Sequence, residues 1–136
     1  MDIQTAPVWQ GPTAVPEGVT VVASADAWER VRATWTEPLR ARVDARPDWR
    51  RDVIVVIAGA RTGDLSLALR AAFHRTGAAM AIDVTAESHA GAAAVPSAMN
   101  NPTLIVSAPA DAFAGDPTPA LSWNGKEWTA PFRYER

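Results

Sequence analysis

Leu65-Ser66-Leu67-Ala68-Leu69-Arg70-Ala71-Ala72-Phe73-His74-Arg75 decides the architecture, because this stretch reads in two ways. As a strand it turns Leu65, Leu67, Leu69, Ala71 and Phe73 to one side, and Ser66, Ala68, Arg70, Ala72 and His74 to the other. As a helix it takes Asp64 as N-cap, a stripe of Leu65, Leu69, Ala72 and Phe73, and Gly77 as C-cap. Propensity favours the helix, since Leu, Ala and Arg are good helix formers.

The flanks are clearer. Upstream, Val53 to Ile57 (VIVVI) is an unbroken β-branched run, the signature of a central strand covered on both faces. Ala58 to Asp64 turns the chain. Downstream, Met80, Ile82 and Val84 alternate with smaller or polar residues from Ala79 to Thr85, which predicts another strand. Glu87 to Asn101 reads as a loop. Thr103 to Ser107 is a further strand between Pro102 and Pro109, and Ala110 to Pro119 is loop again.

Towards the N-terminus, Val19 to Ala23 is a short β-branched strand. Ser24 and Asp26 offer N-caps, and Asp26 with Glu29 has capping-box spacing. Trp28, Val31 and Trp35 then share one helical face, which predicts a helix over about 26–36 that stops before Pro38. Its tryptophans read as core anchors. Residues 39–52 alternate arginines (Arg40, Arg42, Arg46, Arg50, Arg51) with Asp44, Asp48 and Asp52, a solvated connection rather than an anion patch. Residues 1–18, with Pro7, Pro12, Pro16, Gly11 and Gly18, predict an extended or loose arm that Val8 and Trp9 could pin to the body. At the other end, Asn124-Gly125 between Leu121–Trp123 and Lys126–Trp128 predicts a tight hairpin with Trp123 and Trp128 paired across it.

Composition narrows the function classes. The 136 residues fit one domain, here 19–136 behind the 1–18 arm. Eleven prolines and eight glycines suit short strands and turns rather than a helical bundle. A net charge of −2 argues against nucleic acid or an anionic membrane as the main partner. The absence of cysteine excludes disulfides, thiol catalysis and thiolate metal sites. No apolar run is long enough for a membrane-spanning helix. Met1-Asp2-Ile3-Gln4 has no basic or apolar leader character, which fits a cytoplasmic chain or a mature sequence whose leader is gone.

Little of the chemistry-bearing vocabulary is present. Gly59-x-x-x-Gly63 between two strands mimics a nucleotide-binding turn if the next segment is helical. Against that reading, G-x-G-x-x-G is missing, no Walker lysine is present, and Asp64 would repel a phosphate. His74 and His89 are the only histidines and have no ligand partners at helical spacing, so no metal or cofactor site is expected. No G-x-S-x-G elbow occurs, and the carboxylates show no acid–base pairing pattern. The loop residues Arg61, Thr62 and Asp64 are the candidate binding residues, and no catalytic residue is nominated.

From Trp28 onward, the order of features resembles the PrcB-like proteins, small bacterial domains named for a subunit that stabilises a surface protease complex. The matching landmarks are Trp28; Asp48-Trp49; Val53 to Ile57; Gly59-Ala60-Arg61-Thr62-Gly63; segments 65–74 and 79–85; Pro96; and Asn101-Pro102 before Thr103 to Ser107. They cover about residues 26–109. Asp64-Leu65 depart from the Gly-Tyr or aromatic that usually follows the loop, and the Asn124-Gly125 hairpin lies beyond the similar region. The resemblance implies the strand reading of 65–74 and an α+β fold, a mostly antiparallel β-sheet with the one N-terminal helix packed on it. It further implies a non-enzymatic protein-binding or scaffolding role outside the cytoplasmic membrane, with a protease or envelope complex as partner. The alternative is a small α/β nucleotide-binding protein using Gly59 to Asp64.

Overall fold

A computed structural model of the chain describes residues 1–88 and 99–136. His89, Pro96 and most of the expected loop before Asn101 lie outside the described residues. In chain order the strands are β1 (Asp2–Ile3), β2 (Ala6–Thr13), β3 (Gly18–Val22), β4 (Asp52–Ala58), β5 (Ala68–Thr76), β6 (Ala79–Glu87), β7 (Asn101–Pro109), β8 (Thr118–Trp123), β9 (Lys126–Glu127) and β10 (Phe132–Glu135). Helices α1 (Ala25–Ala33) and α2 (Glu37–Arg42) lie between β3 and β4, and a 3-10 turn spans Ala110–Phe113. The fold is α+β, with two mainly antiparallel five-stranded sheets ordered β1-β5-β6-β8-β9 and β10-β3-β4-β7-β2. The pairs β3–β10 and β6–β8 run parallel.

The β-branched run explains the layering. β4 sits at the centre of its sheet, and Val53 to Ile57 are each no more than 3% exposed. Val53, Val55 and Ile57 face the other sheet, meeting Leu69 and Phe73 of β5 and Met80, Ile82 and Val84 of β6, in one core with Leu104 and Val106 of the adjacent β7. Ile54 and Val56 face the opposite way, against Trp28, Val31, Trp35 and Leu39. A strand with apolar side chains on both faces thus joins two cores, one between the sheets and one beneath the helices.

The ambiguous segment is a strand, but only from Ala68. Leu69 and Phe73 are 2% exposed while Arg70, Ala72 and His74 face solvent, and β5 pairs with β6 through nine registered residues. Burial against the facing sheet therefore outweighs helix propensity. Leu65 and Leu67 do not join that face, and Leu65 is 45% exposed. The cause is Asp64: its Oδ1 accepts from the Ser66 backbone N–H at 2.9 Å and from the Ser66 hydroxyl at 2.6 Å. This Asx-type turn bends the chain before pairing begins.

Helix α1 starts as expected, with Ser24 Oγ accepting from the Ala27 N–H at 3.1 Å. It ends at Ala33, short of residue 36, and a second short helix follows. Pro38 opens α2 instead of merely stopping α1, because a first-turn proline has no N–H to leave unpaired. Trp28 and Trp35 are core anchors: their rings meet edge to face at 5.5 Å, and Trp28 Nε1 donates to the Ala45 carbonyl at 3.1 Å. Beyond α2, Arg46 pairs with Asp44 at the surface, as the alternating charges suggest.

Residues 1–18 are extended, as their prolines require, yet they are not loose. β1 pairs with β5 and β2 pairs with β7, so this stretch crosses from one sheet to the other. Pro7 and Pro12 are tolerated because β2 is an edge strand. Gln10 Oε1 accepts from the Leu69 N–H at 2.9 Å, which ties the β5 edge to β2.

Candidate binding groove

The turn after β4 and the hairpin of β8 and β9 meet at one end of the sandwich. Asn124 and Gly125 have φ of 50° and 79°, the paired positive values a two-residue turn needs, and Asn124 Oδ1 accepts from the Ala86 N–H at 2.7 Å. The turn sets Trp123 opposite Lys126, placing Trp123, Lys126 and Trp128 on one face by pleat alternation. The two indoles stand 5.1 Å apart at 60°. Trp123 lies against Gly59 and Pro102; a Cβ on Gly59 would overlap its ring. Trp128 Nε1 donates to Glu17 Oε2 at 2.7 Å, fixing that ring as well.

Between these rings and the 59–63 turn lies an open groove of about 440 Å³. Arg61, Thr62, Leu67, Trp123, Lys126 and Trp128 provide the walls that matter most. The turn itself is held firmly. Thr62 exchanges backbone hydrogen bonds with Asn100 at 2.7 and 2.9 Å, and Asn101 Nδ2 donates to the Gly59 carbonyl at 2.9 Å. Two half-buried tryptophans are thus set beside an exposed arginine.

Of the three residues singled out from sequence, Arg61 and Thr62 line this groove. Asp64 does not; its carboxylate accepts from Ser66 and from the Ser88 hydroxyl. Trp123 and Trp128 were legible as a cross-hairpin pair, but nothing local in the sequence joins them to the Arg61 turn. Asn100 and Asn101, which clamp that turn, gave no signal beyond their place before Pro102. The nucleotide-binding reading required a helix after Asp64, and strand β5 stands there in its place.

Asp2 and Tyr134, away from the groove, have protonation equilibria displaced by the fold. Asp2 is held below the ordinary carboxylate range, first by its hydrogen bond to His74 and then by the charge of that imidazole. Burial pushes the Tyr134 phenol up, against the opposing pull of Arg75. Among the described residues no group of three or more His, Cys, Asp or Glu side chains is placed to hold a metal ion, and no helix is long and apolar enough to cross a membrane. No family model, curated protein or solved structure matches this chain.

Proposed function

We propose that this chain is a non-enzymatic protein-binding or scaffolding domain that grips its partner through the groove between the 59–63 turn and the Asn124–Gly125 hairpin. The observation that carries the reading is the pair Trp123 and Trp128, both half-buried, rigidly oriented and open to the groove. Tryptophan and arginine are enriched at binding hot spots, where tryptophan contributes a large rigid contact area and arginine directed hydrogen bonds. Leu65 and Met99, two of the three exposed large hydrophobic residues among those described, lie close in sequence to groove residues Thr62, Leu67 and Pro102. The bridge between Thr62 and Asn100 brings Met99 beside the groove turn, and an exposed apolar side chain there favours a macromolecular partner. The order of landmarks resembles that of the PrcB-like proteins, and that resemblance supports a partner outside the cytoplasmic membrane, a protease or envelope complex.

Site-directed photocrosslinking in the native cell tests this reading. A photoreactive residue at exposed Ala60, which lines the groove, should trap a discrete partner, and one at exposed Arg42, on the helical side, should not. Loss of the Ala60 adduct on Trp128→Phe or Arg61→Ala would support the groove. Equal adducts from both positions, or none from Ala60, would end the proposal.

A further inference from the structure

We infer that the segment taken by this groove is an extended peptide of the partner protein that carries an acidic side chain next to apolar ones; the inference rests on the binding role proposed above. The case is one of charge complementarity on a single face. Arg61 and Lys126 are both exposed and line the groove, and neither forms an ion pair or a side-chain hydrogen bond among the described residues. The carboxylate of Glu17 also lines the groove, but it is engaged by the Trp128 indole N–H. Glu127 borders the groove too, yet the hairpin register sets it opposite Ser122, on the other face, where Ser122 donates to Asp83 at 2.6 Å. The face that bears the two indoles therefore presents two unengaged cations and one carboxylate already holding a donor.

Backbone chemistry decides how the peptide lies. Strand addition to the outer edge of β8 is hindered: Pro119 has no N–H to offer there, and the Leu121 carbonyl accepts from the Trp128 N–H at 3.0 Å. Recognition must then run through side chains. Apolar residues of the ligand stack on Trp123 and Trp128, and its carboxylate meets Arg61 and Lys126. A guanidinium with no competing partner is well suited to that carboxylate.

Panning a phage-displayed library of random linear peptides on the full chain tests the inference. Enriched sequences should combine Asp or Glu with aromatic, leucine or proline residues. Synthetic copies should bind about tenfold more weakly to the folded double variant Arg61→Glu, Lys126→Glu, the size expected for losing and reversing two exposed charge contacts. Their affinity should fall with added salt. Enrichment of neutral or basic peptides, equal binding to the charge-reversed variant, or no enrichment would each overturn the acidic assignment. Neutral peptides that still require Trp128 would leave the groove itself standing as a binding site. The photocrosslink judges the partner-binding role separately.

Discussion

Replacing Gly59 by alanine should dislodge Trp123 without touching any charged or hydrogen-bonding side chain. Gly59 is pinned on both sides, with its N–H on the Pro102 carbonyl at 2.8 Å and its own carbonyl accepting from Asn101 Nδ2 at 2.9 Å. The backbone therefore cannot retreat. An added methyl would overlap the Trp123 ring and stand 3.1 Å from Pro102 Cγ, so the indole must lift towards solvent. A fully enclosed indole buries on the order of 150–250 Å², and lifting this partly exposed ring off the turn would return about 100 Å² of that to water. At roughly 25 cal/mol per Å² this costs about 2.5 kcal/mol, within the ~1–3 kcal/mol range of overpacked sites. Urea unfolding followed by fluorescence should show the midpoint falling by about 1 M, given slopes of ~1–3 kcal/mol per M for small proteins. The exciton signal of the Trp123–Trp128 pair in circular dichroism should collapse along with it. Gly77→Ala provides the contrast. There φ is +58° with nothing within 4 Å, so only backbone strain of about 1 kcal/mol is added and the tryptophan signal stays. A Gly59→Ala protein with unchanged midpoint and exciton signal would refute the packing of Trp123 on the turn.

Other outcomes follow from the same contacts. Ile57→Ala, at a fully buried position between the sheets, should lower stability by about 2–5 kcal/mol in urea titration. Asn124→Ala loses both the hydrogen bond to the Ala86 N–H and a residue tolerant of positive φ, and should cost ~1–2 kcal/mol, with hydrogen exchange accelerated at Ala86. For Asp2 the folded state favours the ionised carboxylate. The contribution of its contact with His74 is thus present above the ordinary aspartate value and lost as pH falls through the depressed one. Titration of the Asp2 carboxyl carbon by NMR should move upward to an ordinary value in His74→Ala.

Much of the fold was legible because its signals were local. Val53 to Ile57, the alternation at Met80, Ile82 and Val84, and Asn124-Gly125 each carry their structure within a few residues. Where partners lie far away in sequence, local reading ran out. Ala6 to Thr13 reads as a proline-broken arm until β7 is present to pair with it. Pro38 reads as a stop because the same ring both ends one helix and begins another. Leu65 fits the strand alternation, and only the short-range bonding of Asp64 to Ser66 removes it. The groove is the extreme case. Arg61 and Thr62 drew notice as turn residues, whereas the indoles that give the turn a wall arrive some sixty residues later, on a hairpin whose docking depends on a bare Cα at Gly59.

The six tryptophans are built-in reporters of where a partner sits. In an NMR spectrum of indole N–H groups, titration with a groove-selected acidic peptide should shift Trp123 and Trp128 and leave buried Trp28 and Trp35 in place. Shifts confined to Trp28 and Trp35, or spread evenly over all six, would contradict a binding groove at the hairpin end.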